Sequence, residues 1–231
     1  MSTELVTFYD DATGERAGLS ATDLGAWAGA TASLLSGECG LPRGSRAGVL
    51  LPPHWQTAAV LLGAWAAGIE VSFQGWATAG LDRDAGPEPD ATFVDRRRVD
   101  SWLEDVPRAR HRFVLDLASA NSPAPDGYRD FMQAARPHLG APPPAGMVDA
   151  GASATVDGTT FGEYGAVAGE VARSRGLTAG DRVLIDTTTS EEPLIWLLAP
   201  LTAGASIVLC ANLDRSRLDA RISAEGVTHV W

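Results

Sequence analysis

Gly40–Phe73 reads GLPRGSRAGVLLPPHWQTAAVLLGAWAAGIEVSF, and its pattern returns 136 positions later, without a gap, as Gly176–Leu209, GLTAGDRVLIDTTTSEEPLIWLLAPLTAGASIVL. The residues identical in both copies are, in first-copy numbers, Gly40, Leu41, Gly44, Arg46, Leu61, Leu62, Ala67 and Gly68. A fixed self-similarity sets the architecture of a chain, but two copies are too few for a solenoid. The sequence therefore predicts two related α/β modules.

The first copy has the order strand, loop, helix, strand. Arg46–Leu51 is a short apolar run bounded by Gly44 and two prolines, which predicts a buried strand. Trp55–Ala66 is apolar nearly all round and predicts a buried helix, and Ile69–Phe73 predicts the next strand. This order is typical of a parallel crossover unit.

The second copy repeats that order. Arg182–Asp186 predicts a strand, and Ser190 is predicted to cap the next helix, because two glutamates follow it in the first turn. The helix should end at Gly204, before a strand over Ala205–Cys210.

Other elements surround the two copies. Val6–Tyr9 and Arg16–Leu19 predict a β-hairpin, and capping boxes at Ser20–Asp23 and Thr160–Glu163 predict that a helix starts at each. The remaining predicted elements are strands at Ala91–Asp95, Phe113–Leu117 and Val227–Trp231, and helices over Val99–Val106, Tyr128–His138 and Leu213–Ala224.

Alternating strands and helices predict an α/β fold, with two related three-layer modules and mostly parallel sheets. We assign residues 1–140 to the first module and 147–231 to a second, shorter module. The Pro- and Gly-rich segment 141–146 is the predicted boundary.

Composition and charge exclude several classes of protein. The chain has 231 residues, of which 45% are hydrophobic and 20% charged, as in soluble globular proteins. A net charge of −11 argues against binding to nucleic acid or an anionic membrane. Arg96–Arg98 is flanked by acidic residues, so we interpret it as a solvated helix start. Two cysteines, no charged-then-apolar leader and no apolar run of membrane-spanning length predict a cytoplasmic protein.

All eighteen basic residues are arginine, so no ε-amino group is available for any lysine role. Together with the abundance of Ala and Gly, this bias is typical of high-GC bacterial genomes.

The order of these pieces resembles the N-terminal part of the adenylate-forming (AMP-binding) superfamily, which includes acyl- and aryl-CoA synthetases. In that family a Gly-Leu-x-x-Gly-Asp-Arg-Val strand entry recurs twice, as Gly40–Leu50 and Gly176–Ile185 do here. A helix ending Ala-x-x-Ala-Gly before an apolar strand is matched by Ala64–Val71, and Leu197–Ala205 is similar to the family's second version. The resemblance covers nearly the whole chain and implies a truncated, free-standing relative.

In the same family, a Ser/Thr/Gly-rich loop followed by Pro-Lys cradles the phosphates of ATP with N–H groups, hydroxyls and the lysine charge. The corresponding stretch, 151–160, reads GASATVDGTT, and Asp157 puts a negative charge where phosphates would sit, with no lysine after it. Asp-Gly favours a two-residue hairpin turn, so we interpret the stretch as a hairpin. The alternative is a vestigial phosphate loop formed by Ser153, Thr155, Gly158, Thr159 and Thr160.

The loops that follow the two equivalent strands hold the candidate ligand-binding residues. His54 and Trp55 follow the first strand, and Thr187 and Ser190 follow the second. Because ligands of doubly wound sheets bind beyond the carboxyl ends of the strands, both loops are candidate rims of a small-molecule pocket. The alternative is that His54 is an exposed loop residue and Ser190 only a helix cap. No metal site and no catalytic residue are predicted, because the histidines lack metal-ligand spacing and no serine-hydrolase motif is present.

The family reaction needs Mg²⁺ and cationic donors, yet the phosphate-loop lysine, the later adenylation motifs and the C-terminal lid are absent from the sequence. We therefore expect a non-catalytic homologue of an acyl- or aryl-CoA synthetase N-terminal region. Its predicted role is to bind a small acyl or nucleotide ligand or a protein partner. No cofactor is predicted, and ATP or AMP is the alternative. Two other functions stay open: a ligase component completed in trans by another polypeptide, and a structural homodimer without a ligand.

Overall fold

A computed structural model of the protein describes residues 4–75, 88–99, 101, 106–117, 122–142 and 148–231. Its strands are β1 (Glu4–Asp10), β2 (Glu15–Ser20), β3 (Arg46–Leu50), β4 (Glu70–Phe73), β5 (Ala91–Asp95), β6 (His111–Leu115), β7 (Arg129–Asp130), β8 (Arg182–Asp186), β9 (Ser206–Ala211) and β10 (His229–Val230). Its α-helices are α1 (Ala21–Ser33), α2 (Trp55–Ala66), α3 (Arg96–Val99), α4 (Phe131–Ala135), α5 (Phe161–Ser174), α6 (Ala199–Ala203) and α7 (Leu218–Glu225). Shorter helical turns are π-helical at Leu34–Glu38 and Leu194–Leu198 and 3₁₀ at Arg136–His138 and Arg215–Arg217.

The strands form two five-stranded sheets. One sheet has the order β10–β8–β9–β1–β2, in which β1 and β2 are antiparallel and the other pairs are parallel. The other has the order β4–β3–β5–β6–β7 and is parallel throughout. The predicted α/β class with mostly parallel sheets is confirmed.

The internal repeat of the sequence is also a repeat of backbone geometry. Strands β3 and β8 have the same bounds once the spacing of 136 residues is applied. Their registers agree as well, because Arg46 lies opposite Glu70 and the equivalent Arg182 lies opposite Ser206. The two copies therefore build the same strand, helix and strand unit.

Shared glycines hold the same turns in both copies. The Gly44 N–H donates to the Gly68 carbonyl at 2.8 Å, and the Gly180 N–H donates to the Gly204 carbonyl at 3.0 Å. All four glycines have φ between +73° and +91°, a region that other residues rarely adopt. These positions are identical in the two copies because each turn requires a left-handed residue.

The described chain divides into two compact units that do not follow chain order. One unit contains residues 1–24, 53–55 and 162–231, and the other contains residues 25–52 and 56–161. The N-terminal hairpin belongs to the first of these units because β1 pairs in parallel with β9, with Val6 opposite Ile207. This pairing differs from the division into residues 1–140 and 147–231. The boundary at 141–146 lies mostly outside the described residues and stays a prediction.

Each unit has a core on its own sheet. In the unit of residues 25–52 and 56–161, the rings of Phe93 and Phe113 stack with centroids 5.0 Å apart, and Phe131 meets Phe93 edge-on. In the other unit, Leu184 and Val208 are fully buried on neighbouring strands. Burial of such side chains is the main term favouring folding of each unit.

Some predicted elements differ in their bounds. The helix predicted over Tyr128–His138 begins at Phe131, because Asp130 caps it by accepting the Gln133 N–H at 2.7 Å. The helix predicted over Val99–Val106 falls largely outside the described residues. The strand predicted at Phe113–Leu117 starts two residues earlier.

The arginine run starts a helix, as predicted, and Arg97 is exposed to solvent, but Arg98 is not. Arg98 is buried, and Arg97 pairs with Asp95 at 2.6 Å. Arg96 donates to the carbonyl oxygen of Pro123 at 2.8 Å. Arg98 therefore packs inside this unit, whereas Arg96 and Arg97 bind polar groups of the unit nearer its surface.

Candidate functional site

Residues 152–161 form a β-hairpin, as predicted. Ser153 pairs with Thr160 in antiparallel orientation, and the Gly158 N–H donates to the Thr155 carbonyl at 3.1 Å. Gly158 has φ of +92°, so this turn requires a residue without a side chain. The turn contains the four residues 155–158 rather than two, because Ala154, and not Val156, lies opposite Thr159.

The Asp157 carboxylate binds the hydroxyls of the hairpin turn. It accepts from the Thr155 hydroxyl at 2.5 Å, from the Thr159 hydroxyl at 2.9 Å and from the Thr159 N–H at 3.0 Å. The hydrogen bond from Thr155, followed by those from Thr159, lowers the pKa of Asp157 below its usual value. The carboxylate is therefore charged at neutral pH, and it fills the centre of the turn with negative charge.

The hairpin is tied to strand β4 and helix α2. The Val71 N–H donates to the Ala154 carbonyl at 2.9 Å, and the Val156 N–H donates to the Val71 carbonyl at 3.3 Å. The Trp65 indole N–H donates to the same Ala154 carbonyl at 3.1 Å. Because these bonds fix the backbone on both sides of the turn, the hairpin is an integral part of its unit.

The first candidate loop packs inward. His54 is only 2% exposed, so it is not the exposed loop residue that the alternative assumed. Its ring meets the Phe8 ring edge-on with centroids 4.2 Å apart, and it lies 5.6 Å from the Trp55 ring. Trp55 is half-buried at the start of α2. The imidazole therefore belongs to an aromatic cluster, where packing against neighbouring rings holds it in place.

The second candidate loop is held by its own backbone. Thr187 is 9% exposed, and its N–H donates to the Cys210 carbonyl at 3.0 Å. The Thr188 hydroxyl donates to the Asp186 carboxylate at 2.7 Å. Ser190 does not cap the helix as predicted, because the helical turn begins only at Leu194, after Pro193. A pocket rimmed by Ser190 and His54 stays a prediction.

The carboxyl ends of β1 and β9 bring together polar residues that the sequence analysis did not select. Asp11 and Arg221 form a buried ion pair with an Oδ1–Nη2 distance of 2.6 Å, and the Arg221 hydrogen bond lowers the pKa of Asp11. Asp10 accepts from the Asn212 amide at 2.8 Å, and Asn212 has a φ of +49°. The sequence alone did not indicate that β1 pairs with β9. Because of this pairing, the bend of the hairpin lies at the carboxyl edge of parallel strands, where ligands of such sheets bind.

Within the described ranges, no helix combines the length and apolar character needed to cross a membrane. The same residues include no group of three or more His, Cys, Asp or Glu side chains placed to hold a metal ion.

Comparison with known proteins identifies one relative by sequence. No protein-family model matches the chain. A TIGR03089 family protein of Mycobacterium tuberculosis is 38% identical over 232 residues, which cover 97% of this chain and 90% of that protein. The relative is therefore itself a short protein.

Solved structures share the fold at low sequence identity. An acyl-CoA synthetase of Brucella canis aligns with a TM-score of 0.74 at 16% identity, covering 99% of this chain and 44% of that one. The inhibitor-bound N-terminal domain of FACL13 from M. tuberculosis gives 0.71 at 16% identity, covering 99% and 59%. The acetoacetyl-CoA synthetase of Streptomyces lividans gives 0.69 at 19% identity, covering 99% and 40%.

The chain thus spans between two fifths and three fifths of the length of these three structures. At such identities the likeness shows the fold alone, which is that of the N-terminal regions of acyl-CoA synthetases. The sequence match to the M. tuberculosis protein goes further, because it extends over nearly all of both chains. This protein is a member of the TIGR03089 family.

Proposed function

We propose that the protein is a non-catalytic relative of acyl-CoA synthetase N-terminal regions. In this proposal it binds a small acyl or nucleotide ligand, or a protein partner, and forms no acyl adenylate. The observation that carries the proposal is the Asp157 hairpin at the phosphate-loop position, with the hydroxyls of Thr155 and Thr159 turned onto the carboxylate.

Electrostatics explain why this hairpin opposes adenylation. The triphosphate of ATP would meet a carboxylate whose pKa is lowered, and like charges at short distance repel. The N–H of Thr159, which could have served a phosphate, already donates to Asp157. No lysine is present anywhere in the chain to offset the charge. A transition state that gathers negative charge would therefore find a carboxylate here and no lysine to stabilise it.

Two observations support a binding role. The inhibitor-bound FACL13 N-terminal domain, which aligns over 99% of this chain, is a fragment that holds a small molecule. The carboxyl edge of β1 and β9 gathers charged and amide groups where parallel sheets usually bind ligands. Asp10, Asp11, Asn212 and Arg221 satisfy one another there, so a ligand must offer polar groups in exchange.

ATP–pyrophosphate exchange with the purified chain and a panel of carboxylic acids tests the loss of adenylation. We expect no exchange above background for any acid. Exchange by the chain alone would overturn the proposal, and exchange that appears only with a co-purifying polypeptide would support a ligase completed in trans instead.

A thermal-shift screen tests the binding role, because a ligand that binds the native state raises the melting temperature. The ligands are ATP, AMP, CoA and acyl-CoAs, and light scattering on the same sample gives the oligomeric state. We expect at least one ligand to shift the melting temperature of the wild-type chain. A stable dimer whose melting temperature no ligand raises, and which co-purifies with no other polypeptide, would favour the structural homodimer.

A further inference from the structure

A serine, a histidine and a glutamate form a hydrogen-bonded chain that the proposed function does not use. The Ser33 hydroxyl lies 3.1 Å from His138 Nδ1, and His138 Nε2 lies 2.9 Å from a carboxylate oxygen of Glu38. Ser33 and His138 are 105 residues apart in sequence, so the fold alone brings them together. All three residues belong to the unit of residues 25–52 and 56–161.

A π-helical turn places Ser33 and Glu38 on either side of the imidazole. Ser33 is the last residue of α1, and the turn Leu34–Glu38 follows it, with the Cys39 N–H donating to the Leu34 carbonyl at 2.9 Å. A π turn bonds residues five apart, and Ser33 and Glu38 have this spacing. Such turns are frequent at functional sites.

The carboxylate decides which nitrogen of His138 carries the proton. Glu38 accepts from His138 and pairs with Arg129 at 2.5 Å, and these contacts lower the pKa of Glu38. A charged carboxylate can only accept, so in the neutral imidazole the proton is on Nε2. Nδ1 then has a free lone pair directed at Ser33, and the serine hydroxyl must donate to it.

In covalent catalysis, a nucleophile contacts a base, and a carboxylate orients the base. Ser33, His138 and Glu38 have the same order. Ser33 is half-buried, the His138 side chain is 17% exposed and the Glu38 side chain is 45% exposed, so solvent reaches the cluster. A Cβ built on Gly37 would meet, among the described residues outside its own helical backbone, just the Ser33 hydroxyl, at 4.0 Å. The missing side chain leaves room beside the nucleophile.

An open groove is linked to the cluster through Arg129. It has a volume of about 480 Å³, within the range of small-molecule sites, and Arg129, the partner of Glu38, lies in its wall. Pro123, Ala124 and Tyr128 give the same wall an apolar part. An apolar part of a groove wall suits an acyl group better than a charged one.

We propose that Ser33, His138 and Glu38 form an acyl-transfer site for small acyl esters or thioesters, separate from any adenylation chemistry. Ser33 Oγ attacks the carbonyl carbon and forms the acyl–oxygen bond, while its proton passes to His138 Nδ1. The ester or thioester bond breaks, and the leaving group takes that proton. Water then attacks the acyl-serine, gives its proton to Nδ1 and releases the acid as Ser33 recovers its proton.

The first test is labelling of the full chain with a fluorophosphonate probe, in which the Oγ–P bond forms and fluoride leaves. Peptide mass spectrometry should find the label on Ser33. The matched control is Ser36, which lies in the same π-helical turn but donates to the Ala32 carbonyl at 2.8 Å instead of to a histidine. Ser36→Ala should label as the wild type does, and Ser33→Ala should not label. An unlabelled wild-type chain, or label on Ser36 rather than Ser33, would overturn the proposal.

The second test separates the base from a packing role. General-base catalysis contributes roughly 10²–10⁴-fold, so His138→Gln should lower p-nitrophenyl acetate hydrolysis by about 100-fold or more. Glu38 is a positioning residue, and Glu38→Gln should move imidazole proton occupancy from Nε2 toward Nδ1 in ¹⁵N NMR and slow labelling of Ser33. Glu38→Asp should restore both in part. Unchanged hydrolysis of p-nitrophenyl acetate by His138→Gln would refute the role of His138 as the base. Slower labelling of Ser33 in Glu38→Gln with an unchanged ¹⁵N spectrum would refute the role of Glu38 in positioning the imidazole.

Discussion

Helices α1 and α2 meet at Gly63, and the contact is closer there than any side chain permits. A Cβ built on Gly63 would lie 2.4 Å from Thr31 Cβ, 2.7 Å from the Ala28 carbonyl oxygen and 2.8 Å from Thr31 Cγ2. Non-bonded carbon atoms prefer separations of about 3.5–4.0 Å. Gly63→Ala therefore forces the helices apart by roughly 1 Å, because a backbone oxygen cannot turn aside as a flexible side chain can.

Two opposing terms set the size of the effect. Alanine favours a helix interior over glycine by about 1 kcal/mol, whereas overpacking a buried contact costs about 1–3 kcal/mol and occasionally more. The close backbone oxygen puts this site at or beyond the upper end of that range. We expect Gly63→Ala to lower the free energy of unfolding by about 2 kcal/mol, which corresponds to a melting temperature about 4–8 °C lower for a chain of this size.

Gly29 provides the matched control for the Gly63 prediction. It lies within α1, and a Cβ there would meet nothing within 4 Å. Gly29→Ala should therefore raise the free energy of unfolding by about 0.5–1 kcal/mol through helix propensity alone. Thermal unfolding followed by circular dichroism measures both variants. A Gly63→Ala protein that melts at or above the wild-type temperature would refute the packing argument.

The remaining predictions concern the ion pairs of the unit that contains β8. Arg182→Ala should lower the free energy of unfolding by about 1.5–3 kcal/mol in urea titration, because Glu225 would lose its Arg182 partner at 2.5 Å and keep only Tyr9 and Arg16. Arg46→Ala is the equivalent change in the other copy and lies in the other unit. It removes a half-exposed pair with Glu70 at 3.5 Å and should cost under about 1 kcal/mol. Equal losses in the two variants would contradict this reasoning. The stability should also depend on pH. Burial acts to raise the pKa of Glu225, but hydrogen bonds from Tyr9, Arg182 and Arg16 outweigh it and lower that pKa. The hydrogen bond from Arg221 lowers the pKa of Asp11. A carboxylate whose pKa is lower in the folded state stabilises that state fully above its unfolded pKa, which is 4.5 for Glu225 and 3.8 for Asp11. This stabilisation is lost as the pH falls through and below that range, so the urea concentration at the midpoint of unfolding should fall as well. Glu225→Gln should flatten this fall, and a midpoint that rises on acidification would contradict the prediction.

Local pattern predicted most of the fold. The strands Arg182–Asp186 and Ala91–Asp95 and the helix Trp55–Ala66 have the bounds expected from their apolar runs and flanking turn residues. The capping box at Ser20 is present, since its hydroxyl and N–H both contact Asp23. These features depend on neighbours in sequence, which is why the sequence reveals them.

Features that depend on distant partners could not be predicted. An edge of β1 can pair with any strand of matching pattern, and nothing in residues 4–10 selects β9. The contact of Ser33 with His138 likewise needs the three-dimensional path of the chain between them. The Asp-Gly turn was recognised, but its four-residue form depends on where pairing with β4 fixes the hairpin.

The pairing of β1 with β9 has a consequence for synthesis of the protein. Residues 25–161 supply every strand of one sheet, so that sheet can assemble while the rest of the chain is still being made. The first hairpin must wait for a partner about 200 residues later, which at 5–20 residues per second takes about 10–40 s. During that interval the apolar face of Val6 and Phe8, buried in the finished protein, is exposed to chaperones and to other nascent chains. Strand β9 therefore completes β1 only late in synthesis, and a nascent chain released before β9 emerges would expose an aggregation-prone hairpin.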